Sequence, residues 1–268
     1  MTEPRIRITK EEFFTRLQGV DEVVRGIIRG LPKGIPVCIL LGNTGAGKST
    51  LANALLGINL VPKKVGPKYC LFAQEGEVSP TKIGEGFNAV TSVPTMVMDA
   101  DNNICYIDCP GFEDTNGVEI EIINLFTVYT LINYIHTEHP LTILLVINEA
   151  TLFNDRGIGA LRSADAVLKM FDEEDQLKKC LRAVITNSTL PPDELSAALE
   201  PFADTSDTME FILENGFFCF PSPPQSQSPT PSSSESSSSP QPPSPTPSSA
   251  PSSSSPLSPS QELVSQTN

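Results

Sequence analysis

Apolar and polar residues alternate in blocks along the first 220 residues, and each block has the length of one strand or helix. Short runs that are apolar throughout are typical of strands buried on both faces. The pattern predicts strands at Ile35–Leu41, Thr95–Met98, Ile104–Ile107, Leu141–Ile147, Leu181–Ile185 and Phe217–Phe220. Helical spacing predicts helices at Lys48–Leu56, Asn124–Ile135, Ile158–Phe171, Asp193–Leu199 and Thr208–Leu213. Residues 58–90 are rich in Gly, Pro and Lys, and we expect a loop with one short strand there. Strands that alternate with helices predict an α/β fold with a mainly parallel central sheet.

The same criterion predicts an amphipathic helix in the first 34 residues. Thr9 followed by Glu12 fits a capping box, and Gly30 and Pro32 would end the helix. Its apolar residues recur at helical spacing: Phe13, Leu17, Val20, Val24, Ile27 and Ile28. We expect the helix to pack beside the main domain, and a partner-binding helix is the alternative.

The last 48 residues have a different composition. Residues 221–268 contain 20 Ser and 13 Pro, and they contain no aromatic residue, Lys or Arg. Such a segment buries too little apolar surface to offset its ordering entropy, so we predict a disordered tail that serves as a spacer or as a docking segment. The predicted domains are therefore 1–34, 35–220 and 221–268.

Charge and cysteine usage exclude several function classes. The formal net charge is −14, which disfavours nucleic-acid binding through phosphates. No apolar run is long enough for a transmembrane segment, and association with a membrane surface is left open. The six cysteines form no CxxC pair, so we expect reduced thiols and a cytoplasmic protein.

A glycine-rich loop follows the first predicted strand and opens a helix, and it matches G-x-x-x-x-G-K-[ST]. Its backbone N–H groups would surround phosphates, Lys48 would reach the β- and γ-phosphates, and the Ser49 hydroxyl would ligate Mg²⁺. The predicted nucleotide contacts in this segment are Gly42, Asn43, Thr44, Gly45, Ala46, Gly47, Lys48, Ser49 and Thr50.

A second motif, Asp108 to Gly111, ends the strand that should lie beside this loop. The Asp108 carboxylate would hold Mg²⁺ through water, and the Gly111 N–H would approach the γ-phosphate. A threonine between the two motifs should close over the Mg²⁺. We prefer Thr91 to Thr95, because Thr95 looks like the start of a strand. The predicted catalytic residues are Lys48, Thr91 and Gly111, and the predicted metal ligands are Ser49, Thr91 and Asp108.

The chain resembles the translation-factor-type branch of P-loop GTPases, and within it the immunity-associated and septin-like families. The resemblance is carried by LLGNTGAGKSTLANALLG from residue 40, IGEGFNAVTSVP from 83, DCPGFEDT from 108 and LTILLVINEATLF from 141. It implies a three-layer P-loop NTPase fold, binding of GTP or GDP with Mg²⁺, and oligomerisation through the switch face.

Two positions depart from that pattern. The guanine-specificity motif of such families contains an Asp. Residues 184–190 contain Asn187, which is the predicted contact to the base, but no carboxylate, so guanine or adenine preference is open. Phe112 occupies the place of the water-orienting Gln, and 83–155 contains no Lys or Arg. We therefore predict slow GTP hydrolysis, with a scaffold without turnover and an ATP-using enzyme as alternatives.

Residues 120–132 follow the second switch and are apolar on all sides. This pattern is unusual for a surface helix. The segment is either fully buried or carries a nucleotide-gated contact for another subunit.

Overall fold

A six-stranded sheet organises the computed structural model, which describes residues 8–66, 68–81, 83, 93–112, 117–154, 165, 179–205 and 207–222. The strands are β1 (Val37–Leu41), β2 (Leu60–Val65), β3 (Lys68–Ala73), β4 (Thr95–Asp99), β5 (Ile104–Asp108), β6 (Leu141–Asn148), β7 (Leu181–Ser188) and β8 (Phe217–Pro221). The helices are α1 (Lys10–Arg29), α2 (Lys48–Leu55), α3 (Val118–Glu138), α4 (Glu149–Asn154), α5 (Pro192–Leu199) and α6 (Asp207–Asn215), with a 3₁₀ helix at Glu200–Thr205.

The main sheet has the strand order β4-β5-β1-β6-β7-β8. Only the pair β4–β5 is antiparallel within it, and the other four pairs are parallel. The predicted α/β fold with a mainly parallel sheet is therefore confirmed. All six strands predicted for this sheet are present, with ends that differ by at most three residues.

Strand β1 lies in the middle and is buried on both faces. Its residues alternate between two hydrophobic clusters, because successive side chains of a strand point to opposite faces. Val37, Ile39 and Leu41 pack in the larger cluster, with residues of α1, α3, α5 and α6. Cys38 and Leu40 pack in the smaller one, with residues of α2. The sheet is thus the middle of three layers.

Helix α1 packs against α3 and completes one face of the core. Thr9 caps it, since its Oγ1 accepts a hydrogen bond from the Glu12 N–H at 3.1 Å. Val20 and Val24 are buried against the larger cluster. The amphipathic pattern therefore reflects packing within this chain.

Helix α3 is longer than predicted and is buried on one side only. It begins at Val118, six residues before the predicted start, and acidic Glu119 and Glu121 stabilise its first turn. By length and composition it is the one described helix that could cross a membrane, and one third of its most apolar window is buried. A core helix of a soluble protein passes the same test, and Leu131 and Ile135 lie in the core. The finding therefore does not establish a membrane span.

Residues 60–73 correct the prediction of a loop with one short strand. They form an antiparallel hairpin, β2–β3, with Gly66 at φ +60° in the turn. Pro62 and two lysines gave β2 the composition of a loop, because proline and charged residues are depleted in strands. The pair forms a separate two-stranded sheet, where Lys63 lies over the ring of Phe72 at 5.9 Å from the centroid. Most of the predicted helix Ile158–Phe171 lies outside the described residues.

The α1–α3 contact predicts a difference between two adjacent valines. Val24 is fully buried, whereas Val23 is 39% exposed. Val24→Ala should lower the free energy of unfolding by about 2 kcal/mol, because two buried methyl groups are lost and a cavity is left. Val23→Ala makes the same chemical change in the same helix and should shift stability by less than about 0.5 kcal/mol. Urea denaturation of both variants measures the difference, and equal losses would contradict the packing described.

Candidate functional site

The segment 42–47 connects β1 to α2 and can be built only with glycine at its first position. Gly42 has φ +147°, and a Cβ there would lie 2.1 Å from the carbonyl oxygen of Val146 on the neighbouring strand β6. Gly47 caps α2 in a left-handed conformation, φ +92°. The chain thus leaves β1, passes close to β6 and enters α2 at Gly47. This is the backbone form expected of a phosphate-binding loop.

Lys48 is folded over this loop. Its side chain is only 7% exposed, and its Nζ donates hydrogen bonds to the carbonyl oxygens of Gly42 at 2.9 Å and Asn43 at 3.0 Å. A buried ammonium group needs such acceptors. The contacts place the positive charge inside the loop, at the N-terminus of α2.

Ser49 and Asp108 meet beside the loop. Ser49 Oγ donates to Asp108 Oδ2 at 2.6 Å, although 59 residues separate them. Asp108 is 1% exposed, and burial raises the pKa of its carboxyl group, against the opposing influence of the Ser49 hydrogen bond and the Lys48 charge. Its Oδ1 is buried and has no hydrogen-bond partner within the described part of the chain. An unpartnered buried carboxylate oxygen is costly unless something else satisfies it.

These oxygen atoms fit a magnesium ion. Mg²⁺ prefers oxygen ligands, keeps several waters, and is held by one or two protein groups together with phosphate oxygens. No group of three His, Cys, Asp or Glu side chains that could hold a metal is found among the residues described. A cation beside Ser49 and Asp108 would therefore need additional ligands from water or a phosphate.

Residues 109–112 run directly alongside the loop. The Thr44 N–H donates to the Phe112 carbonyl at 2.9 Å, and the Phe112 N–H donates to the Gly42 carbonyl at 3.1 Å. A Cβ at Gly111 would lie 2.6 Å from the backbone nitrogen of Thr44. The second motif is thus fixed against the first, and only glycine permits this approach. The Phe112 side chain is 1% exposed and belongs to the hydrophobic core.

A buried amide, missed by sequence reasoning, connects α2 with the hairpin side. Asn53 is fully buried, and its Nδ2 donates to the Ser49 carbonyl at 2.7 Å and to Thr81 Oγ1 at 2.6 Å. Thr81 Oγ1 donates in turn to the Ser49 carbonyl at 2.9 Å. An Asn in the middle of a helix has no sequence signal for such a role, because its partner is 28 residues away.

The end of β7 lies next to the loop on its other side. Thr186 is buried, and its Oγ1 donates to the Ala46 carbonyl at 2.6 Å. Asn187 follows with φ +53° and is exposed, and its carbonyl accepts a hydrogen bond from Ser222 Oγ at 2.7 Å. The segment predicted to contact a base is therefore attached to the segment predicted to bind phosphates.

The predicted residues around the phosphates lie together, apart from one that is outside the described residues. Lys48, Ser49, Asp108 and Gly111 surround a single loop. Thr91 lies outside the described residues, so its proposed part in metal binding stays a prediction. Thr95 begins β4, as expected, and stands opposite Asp108 in the antiparallel ladder.

No protein-family model and no curated protein matches the sequence. Similar solved structures include a dimerization-deficient mutant of Toc33 from Arabidopsis thaliana and the SRb–GTP/SRX complex of the signal recognition particle receptor from Chaetomium thermophilum. Toc33 is 16% identical over 77% of each chain with a TM-score of 0.40. The second is 16% identical over 70% of this chain and 89% of that one, with a TM-score of 0.36.

Neutralising the buried Asp108 carboxylate should have opposite effects on the stability of the free protein and on its stabilisation by ligand. Asp108→Asn removes a buried charge while keeping the shape, so the melting temperature without ligand should be equal to or above that of the natural protein. Its stabilisation by magnesium nucleotide should be lost, whereas saturation at 100-fold the Kd should stabilise the natural protein by about 2.7 kcal/mol. Thermal unfolding with and without Mg²⁺ and GTP measures both effects. Asp101→Asn, at an exposed turn residue, is the control, and a full ligand response in Asp108→Asn would contradict the assignment.

Proposed function

We propose that the protein binds GTP or GDP together with Mg²⁺ and acts as a slow GTPase, as a nucleotide-dependent switch or assembly module. The observation that carries the proposal is the contact between Ser49 and Asp108 beside the glycine-rich loop. Two residues far apart in sequence place oxygen atoms side by side next to a loop of N–H groups and a buried lysine. This arrangement suits a magnesium-bound polyphosphate.

Each residue has a separate role in this proposal. The N–H groups of Thr44 and Ala46 donate to carbonyl oxygens of the protein. The remaining amides of 42–47 and the N-terminus of α2 bind the phosphate oxygens, and Lys48 neutralises the β- and γ-phosphates. Ser49 and Asp108, with Thr91, hold the Mg²⁺, which would offset phosphate charge when bound. The Gly111 N–H senses the γ-phosphate. Asn187 contacts the base.

Slow turnover is supported by Phe112 and by the charge of the switch region. A hydrolysing site needs a group that orients water, and Phe112 is apolar and buried in the core. Residues 83–155 supply no Lys or Arg to offset charge in the transition state. Acceleration would then come from a partner or from a second copy of the chain. A scaffold that binds nucleotide without turnover is the second candidate, and the same burial of Phe112 favours it.

The exposed side of α3 supports the assembly part of the proposal. Val118, Ile122 and Phe126 are spaced four residues apart and are 60%, 45% and 41% exposed. They lie on the helix that follows the second motif. A second copy that docks there would respond to the bound nucleotide, because α3 follows the second motif in the chain. The proposed location is the cytoplasm, in keeping with the six free cysteines.

Binding is tested by titration calorimetry with Mg²⁺ present. We expect GTP to bind the natural protein, and Lys48→Ala to weaken binding at least tenfold, because the buried charge beside the phosphates is lost. Lys33→Ala removes an exposed lysine outside the site and should leave the affinity unchanged. Competition by ATP decides the base preference. Properly folded protein that gives no heat with either GTP or ATP would refute the proposed function.

Turnover is tested by single-turnover phosphate release at increasing protein concentration. Slow release that accelerates with concentration is expected for a chain that lacks its own charge-neutralising group, since an arginine supplied in trans contributes roughly 10³–10⁵ in rate. A fast rate that is independent of concentration would contradict slow intrinsic hydrolysis. Bound GTP that stays intact for hours at every concentration would favour the scaffold.

A further inference from the structure

A buried carboxylate that the proposed function does not use lies at the end of β6. Glu149 is the first residue of α4 and is only 7% exposed. Its carboxylate accepts four hydrogen bonds from the loop that follows β7. The donors are Ser188 Oγ at 2.9 Å, the Thr189 N–H at 2.9 Å, Thr189 Oγ1 at 2.5 Å and the Leu190 N–H at 3.5 Å. Glu149 thus holds residues 188–190, at and just after the end of β7, in place.

This loop occupies the base side of the proposed nucleotide site. Strands β6 and β7 are parallel neighbours, with Asn148 opposite Thr186, so their carboxyl ends lie together. Ligands of open α/β sheets bind outside the carboxyl ends of the strands. The hydrogen bond from Thr186 to Ala46 attaches the end of β7 to the phosphate-binding loop. Thr189, three residues further on, is exposed.

The Glu149 carboxylate determines whether the Thr189 hydroxyl donates or accepts a hydrogen bond on its exposed side. A threonine hydroxyl has one proton to donate and two lone pairs to accept with. Burial raises the pKa of Glu149, but the hydrogen bonds from Thr189, Ser188 and Leu190 outweigh it, and the pKa lies below its usual value. The ionised carboxylate accepts hydrogen bonds only. The proton of Thr189 Oγ1 is therefore committed to Glu149, and the exposed lone pairs act as acceptors.

We propose that Glu149 is a positioning residue for base selectivity, which makes the Thr189 hydroxyl an obligate acceptor that reads the N–H edge of guanine. The inference rests on the proposed nucleotide site. Guanine presents N–H donors at N1 and N2, whereas adenine presents an acceptor at N1 and a donor only at N6, so the discrimination requires the hydroxyl to lie opposite N1. An acceptor hydroxyl satisfies the first edge and leaves the second unpaired, and a polar group left unpaired in a site is the basis of discrimination. Glu149, at the start of α4, thus acts through Thr189 in place of the carboxylate that 184–190 lacks.

Glu149→Gln tests this assignment without changing the shape of the side chain. The Gln amide can still accept from the Thr189 N–H, but its NH₂ group would donate to Thr189 Oγ1 and turn the hydroxyl proton outward. We expect the ratio of GTP to ATP affinity to fall about tenfold. The probes are Mg·GTP, Mg·ATP and Mg·tripolyphosphate in calorimetry. The affinity for tripolyphosphate, which has no base, should stay within about twofold of that of the natural protein.

Two further variants separate selectivity from structural damage. Thr189→Val is close to isosteric and removes the hydroxyl, so it should lower the same ratio. Thr151→Val removes an exposed hydroxyl from α4 itself and is the matched control, expected to change nothing. The double variant Glu149→Gln with Thr189→Asp places a carboxylate directly at the reading position, and it should restore or exceed the original preference for GTP.

Several outcomes would overturn the assignment. Equal loss of affinity for all three ligands in Glu149→Gln means that the residue acts only on the fold. A natural protein that binds GTP and ATP equally, or an unchanged ratio in Glu149→Gln, means that Thr189 does not read the base. A natural protein that binds tripolyphosphate, and binds GTP and ATP with equal affinity, keeps the proposed nucleotide binding while refuting this inference. Failure to bind any of the three probes refutes both.

Discussion

The burial of one carboxylate, Asp108, is the constraint on which the rest of the site depends. The group is 1% exposed, one of its oxygens is paired with Ser49, and the other has no partner among the described residues. Burial raises its pKa, so the fold holds it against an electrostatic penalty. A chain optimised only for stability would place an apolar residue or an amide there. The strand that carries it is paired on both sides, with β4 and β1, so the carboxylate cannot move out to water. A buried charge that is held against such a penalty at the carboxyl end of a strand is typical of a functional site.

The parallel sheet explains why groups distant in sequence converge on this point. The carboxyl ends of β1, β5, β6 and β7 lie along one edge, and each ends in a segment of the site. The glycine-rich loop follows β1, Asp108 ends β5, and Glu149 follows β6. Backbone contacts then fix these segments to one another, as where Thr44 donates to the Phe112 carbonyl. Because these contacts are made by the main chain, they depend on glycine at 42 and 111 and tolerate variation elsewhere.

Sequence patterns predicted the parts of this structure that depend on local periodicity. The strands of the main sheet are apolar because both faces are covered, so they stand out from their surroundings. The motif residues Gly42, Lys48 and Asp108 were also predictable, because their chemistry requires fixed spacing after a strand. The hairpin β2–β3 was missed, since Pro62 and the two lysines after it resemble loop residues, and the hairpin forms a separate two-stranded sheet. Glu149 was missed because its partners lie 39 to 41 residues further along the chain.

The chemistry of the base-side loop sets how selective such a site can be. A hydroxyl is a neutral acceptor even when its proton is held by Glu149, and a neutral hydrogen bond is worth about 0.5–1.5 kcal/mol, against about 1.5–3 kcal/mol for one to a charged group. One such contact therefore distinguishes two purines by roughly tenfold, whereas a carboxylate that accepts two hydrogen bonds directly reaches far more. The proposed phosphate side would have no such weakness, because Lys48, the loop amides and the proposed magnesium ligands would all carry or stabilise charge. The binding energy of this site would then come mainly from the phosphates, and the base would modulate it.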